Sequence, residues 1–168
     1  MNATNLLLLA FDNALAHPWE SFAGATMDLG AAEAAWQHPA YAHEPHDPGV
    51  GKPGTVLWFL HHLELCHRHY TAMLRQRRQE TGVPATGAEP DTQPPGELPL
   101  SEILAALEAA NAALRAEIGM LTADTLDRPF TPNKTTAEFV LGTIRHISWH
   151  SGQIATIRRL HGQAHPGS

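Results

Sequence analysis

The chain has 168 residues, 43% of them hydrophobic, enough for a single domain (residues 1–168) with a core of its own. A formal charge of −6, with no basic run beyond Arg75, Arg77 and Arg78, excludes an electrostatic footprint for nucleic acid. The single cysteine, Cys66, rules out an internal disulfide framework, and no segment approaches the ~20 apolar residues of a membrane span, so a cytoplasmic protein is expected.

From Asn2 to Leu29 the spacing of Leu8, Phe11, Leu15, Trp19 and Phe22 is helical. Pro18 interrupts it, which predicts a kink or two shorter helices, with an extra short helix near residues 18–29. Leu6 to Leu9 followed by Ala14-Leu15-Ala16 faintly resembles a secretory leader. No Lys or Arg precedes the leucines, and Asp12 and Asn13 break the run, so a first helix of the fold is the expectation. Residues 37–54 are rich in Pro and Gly and are expected to be a loop, from which His38, His43 and His46 could approach a site.

A long helix is predicted after Pro53-Gly54, capped by Thr55 and ending before Gly82-Val83-Pro84. Residues 82–99 again read as a loop, and a third helix runs from Ser101 to about Leu121, rich in Ala, Leu and Glu. The last helix is the most clearly marked: Thr135 and Glu138 form a capping box at its start, and Gly162 with Pro166 supplies the stop. No strand alternation or internal repeat stands out. Four amphipathic helices predict an all-α four-helix bundle, in which sites are built from side chains on facing helices.

At about 100° per residue, Phe139, His150 and Ile157 of the last helix fall within roughly 40° of His146, with Gln153 and Leu160 as close on the other side. Arg145, Ser148, Ala155 and Arg159 lie on the far face. His146 and His150 therefore sit in the stripe that should be buried. An unpartnered buried polar group costs about 1–3 kcal/mol. Either each imidazole bonds another side chain or a water, or the two share a metal ion, for which a His pair four apart has the right spacing.

The second long helix offers His61, His62, Cys66, His67 and His69. His61 falls among Glu64, Arg68, Thr71, Arg75, Arg78 and Gln79 and is expected at the surface. His62 falls with Phe59, Leu63, Cys66, Tyr70 and Met73 and is the best-placed third ligand. Cys66 also faces inward, either as a ligand or as a small hydrophobe; His69 is on the border and His67 peripheral. Glu64-x-x-His67 has the spacing of a di-iron site, but no inward carboxylate in the last helix completes one.

These residues resemble the DinB-like (DinB/YfiT-like metalloenzyme) superfamily. The resemblance rests on HPWESF at 17–22, AAEAAWQHPAY at 31–41, PGTVLWFLHHLELCHRHY at 53–70, LTADTLDRPF ahead of the final helix, and His146-x-x-x-His150-x-Gly152-Gln153-Ile154. It implies an up-down-down-up bundle, three metal-binding histidines at His62, His146 and His150, a divalent metal such as zinc or nickel, and a homodimer. Trp149 and Phe59 stand where many relatives would carry further histidines. Characterised relatives use a low-molecular-weight thiol at the metal, which implies thiol-dependent S-transferase chemistry on a small-molecule electrophile, in detoxification or stress response. Gln153, Cys66 and Tyr70 would then belong to the second shell or the substrate pocket. The alternative the resemblance leaves is a non-catalytic metal-binding stress-response protein whose bundle serves dimerisation.

Overall fold

The computed structural model describes residues 2–17, 20–41, 51–79, 94, 96 and 98–166. Four long helices dominate: α1 (Ala3–Ala16), α4 (Val56–Gln79), α5 (Leu100–Gly119) and α7 (Thr136–Ala164). Short helices α2 (Phe22–Thr26) and α3 (Ala31–Ala35) and a 3₁₀ turn at Pro39–Tyr41 fill the segment between α1 and α4. Between α5 and α7 lie α6 (Ala123–Asp127) and an antiparallel pair, β1 (Pro129–Thr131) and β2 (Lys134–Thr135), in which Pro129 faces Thr135.

Local chemistry sets the helix starts. Thr135 Oγ1 accepts from the Glu138 amide while the Glu138 carboxylate accepts from the Thr135 amide, completing the capping box of α7. Thr55 Oγ1 accepts from the Trp58 amide at 3.1 Å and caps α4. Just before it, Gly54 has φ 77°, and a Cβ there would lie 2.6 Å from the Tyr41 ring, so the entry to α4 requires glycine. Asn2, Ser21 and Thr122 cap α1, α2 and α6 in the same way as Thr55.

The helix directions follow from which residues meet. Thr4 bonds the Leu121 carbonyl and Asp12 pairs with Arg115, so α1 runs against α5. Leu60 and Leu63 pack with Ile103 and Leu107 in one apolar cluster, and Leu74 with Leu114 and Ile118 in another, so α4 and α5 are parallel. Val140 and Ile147 join the second of these clusters and Ile154 and Ile157 the first, which sets α7 antiparallel to α4. The bundle is therefore all-α and up-down-down-up. Two parallel neighbours need a connection as long as a helix, about 36 Å for the 24 residues of α4, and about 20 residues of chain at ~3.3 Å each can span it.

Two sequence expectations change. The pair β1–β2 escapes a search for alternation because it is only three and two residues long; it is held by stacking of Phe130 on Phe139 (3.8 Å between centroids) and by Arg77 donating to the Pro129 carbonyl. The predicted 37–54 loop contains the 3₁₀ turn at Pro39–Tyr41. His43, His46 and nearly all of the 82–99 loop lie outside the described residues.

Candidate metal centre

Halfway along the bundle, α4 and α7 face each other with imidazoles. Nε2 of His62 lies 3.4 Å from Nε2 of His146, which lies 2.8 Å from Nε2 of His150. Cys66 Sγ is 3.6 Å from His62 Nε2. His62, Cys66 and His146 each turn one donor atom to a common point, all within 4.8 Å of one another, a group among the described residues that could hold a metal ion. Cys66 and His150 are buried, and His62 and His146 are half-buried.

The surroundings fix these rings. Trp58, one turn before His62, stacks parallel on it at 5.0 Å, and Phe59 packs against His150 at 5.3 Å. Tyr70 stands 6.0 Å from His146, centroid to centroid, and edge-on to Phe139. Gln153 Oε1 lies 2.6 Å from His150 Nδ1. An amide oxygen only accepts, so Nδ1 carries the proton and the lone pair of His150 Nε2 points into the cluster. His146 is then left with Nε2 among its neighbours and a buried Nδ1 that has no hydrogen-bond partner among the described residues.

Burial lowers the pKa of both His146 and His150 to about 4, and the neighbouring imidazoles push in the same direction. For His150 the Gln153 bond opposes the shift. His146 and His150 are therefore neutral at pH 7, the form that binds a cation. With Zn–N bonds of 2.0–2.1 Å, two imidazoles on one tetrahedral ion stand about 3.4 Å apart, the His62–His146 distance observed. The donor types and the His62–His146 spacing fit a divalent ion, while His150, 2.8 Å from His146, would have to draw back to ligate it.

Of the trio selected by helical angles, His62 and His146 share this group with Cys66, while His150 lies outside it with its Nε2 2.8 Å from that of His146; Gln153 and Tyr70 border the site. His69 lies outside the group, near the Tyr70 ring at 6.1 Å. His38 packs edge-on against Trp36 at 5.6 Å, at the far end of α7 with His161. His61 is not a surface residue: it is 7% exposed, 3.5 Å from an equally buried Glu64, which also accepts from Arg68. The segment at 51–55 together with Pro94, Leu98 and Ile103 covers that side of α4.

Sequence reasoning missed His67. It is 1% exposed, its Nδ1 bonds Asn111 Oδ1 on α5 at 2.6 Å, and its Nε2 has no partner among the described residues. Burial lowers its pKa to about 4. The available signal was Asn111 itself, a polar residue in the buried stripe of Ile103, Leu107 and Leu114.

The sequence model of the DinB superfamily matches residues 14–153, a span that contains all of these donors. The chain belongs to the DinB superfamily. No curated protein and no solved structure matches it significantly. Within this DinB-superfamily chain, the histidines that the resemblance implies and the group the bundle brings together share His62 on α4 and His146 on α7; the group adds Cys66 and leaves out His150.

Proposed function

We propose that this DinB-superfamily protein binds a divalent ion, zinc or nickel, through His62, His146 and His150, and uses it for thiol-dependent S-transfer to electrophilic small molecules in detoxification or stress. The short Nε2 separations from His62 to His146 and from His146 to His150 carry this reading. Bound there, a divalent ion would deprotonate a thiol in its remaining position and make it a nucleophile. In this reading Gln153 holds His150 in the ligating tautomer, Trp58 fixes the plane of His62, and Tyr70, whose ring packs edge-on near His146, belongs to the pocket beside the ion. The reading takes residues 1–168 as one domain working as a cytoplasmic homodimer; exposed Trp149 (67%) and Leu141 (46%) on α7 support pairing of copies.

A second reading, a non-catalytic metal-binding stress protein, is favoured by the nearness of Cys66 Sγ to His62. A fourth protein ligand closes a site, whereas a catalytic zinc keeps a position open.

Elemental analysis of tag-free protein tests the centre: we expect stoichiometric metal in the wild type and its loss in His150→Ala. Sub-stoichiometric metal, or equal metal in the variant, would overturn it. A panel of cellular thiols with a chlorinated bimane as acceptor then separates the readings, since turnover with one thiol supports transfer and none with any supports the binding protein.

A further inference from the structure

We propose that Cys66 is a ligand of the same ion, so that the centre is held by two one-turn pairs, His62 with Cys66 on α4 and His146 with His150 on α7. This rests on the metal reading above and departs from a centre made of histidine alone. Burial of a single thiol is ordinary and proves nothing by itself. The distances are what separate Cys66 from a core filler. A tetrahedral zinc with a Zn–S bond of 2.3 Å and Zn–N bonds of 2.0–2.1 Å sets sulfur about 3.6 Å from each ligating nitrogen and the nitrogens about 3.4 Å apart. Sγ of Cys66 lies 3.6 Å from Nε2 of His62, and Nε2 of His62 lies 3.4 Å from Nε2 of His146. Both edges are already in place. The His146 donor lies within 4.8 Å of Cys66 Sγ as well, and His150, outside that group and 2.8 Å from His146 Nε2, has to move for all four to share the ion; it sits one turn from His146 on a ring that can rotate.

Two consequences follow for the chemistry. A thiolate among imidazoles favours zinc over harder divalent ions. With Cys66 as the fourth ligand a tetrahedral centre keeps no open position, which favours the metal-binding reading over thiol transfer.

The test uses the full chain, tag-free, stripped with a chelator and reloaded with Co²⁺ in thiol-free buffer. The wild type should show a near-ultraviolet sulfur-to-cobalt charge-transfer band. Cys66→Ser should retain Co²⁺ through its histidines and lose the band. Retained Co²⁺ without the band in the wild type would overturn the proposal and leave the histidine centre standing, whereas failure of wild type and variant alike to retain Co²⁺ would overturn both. Should Cys66→Ser not fold, X-ray absorption at the zinc edge of the wild type decides alone: a sulfur shell at about 2.3 Å supports ligation by Cys66, and a nitrogen and oxygen shell without sulfur refutes it.

Discussion

Because the Gln153 amide oxygen accepts a hydrogen bond from the Nδ1–H of His150, one hydrogen bond decides which nitrogen of that ring faces the cluster. Removing such a partner weakens metal binding by roughly 10–100-fold. Gln153→Ala should show that loss in competition with a chromophoric chelator, and Gln153→Glu, which keeps an acceptor, should recover most of it; equal affinity in all three proteins would refute the role. The same imidazoles make stability depend on pH. His67, His146 and His150 titrate near 4 in the folded protein against 6.5 for an ordinary histidine, so between those values the unfolded chain binds protons that the native one does not. Their contribution is complete above about pH 6.5 and is lost as pH falls toward 4. For His67, 1% exposed, about 1.4 kcal/mol per pKa unit makes the full loss about 3 kcal/mol. Urea midpoints of the metal-free protein should fall between pH 7 and pH 5, and a constant midpoint would contradict the shifts. His62, Cys66, His146 and His150 were legible because each sits one turn from a like partner on an apolar stripe. His61, Glu64 and His67 were not, because a single helical wheel assumes a single buried side.

Helix α4 breaks that assumption, since it presents His62 and Cys66 to α7 and His67 to Asn111 of α5. Its arginines continue the pattern: Arg75 and Arg78 both pair with Glu117 of α5, a carboxylate only 3% exposed. Polar residues on this helix therefore mark a neighbour as often as they mark solvent. Helix starts, by contrast, were readable, because a cap acts within three residues and needs no knowledge of the rest of the chain. The box at Thr135 joins the β1–β2 pair to α7, and the next residue donates its amide to the Arg128 carbonyl at 2.9 Å. Thr135→Ala should lower stability by about 1 kcal/mol, read from urea unfolding, with the metal content unchanged. A loss of metal in that variant would mean that the start of α7 also sets the position of the histidines about three to four turns further on. The five-residue helix α3 has no side-chain cap to mark it, and α6, though capped by Thr122, is too short to show a periodic face.

Across the whole bundle, the apolar interior is cut in two at one level. Along α4 the first cluster ends at Leu63 and the second begins at Tyr70; along α5 the break falls between Leu107 and Leu114; along α7 it falls between Ile147 and Ile154. The break is where Cys66, His67, Asn111 and His150 lie, with His62 and His146 at its edges. A polar layer so placed interrupts hydrophobic burial and carries nitrogens on His67 and His146 with no partner among the described residues, which without a bound ion cost stability. An ion bridging α4 and α7 would offset that cost, because a ligand that binds only the folded chain adds stability in proportion to the logarithm of its excess over Kd. Replacing His62, His146 and His150 together by leucine, of similar volume, removes both the cost and the remedy. The triple variant should melt higher than the metal-free wild type, by about 2–4 °C for each kcal/mol recovered, and should no longer respond to added Zn²⁺. The wild type should melt higher with Zn²⁺ than without. A triple variant that melts below the metal-free wild type would mean that the histidine layer stabilises the bundle by its own hydrogen bonds and stacking, and that the fold does not depend on an ion to close its middle.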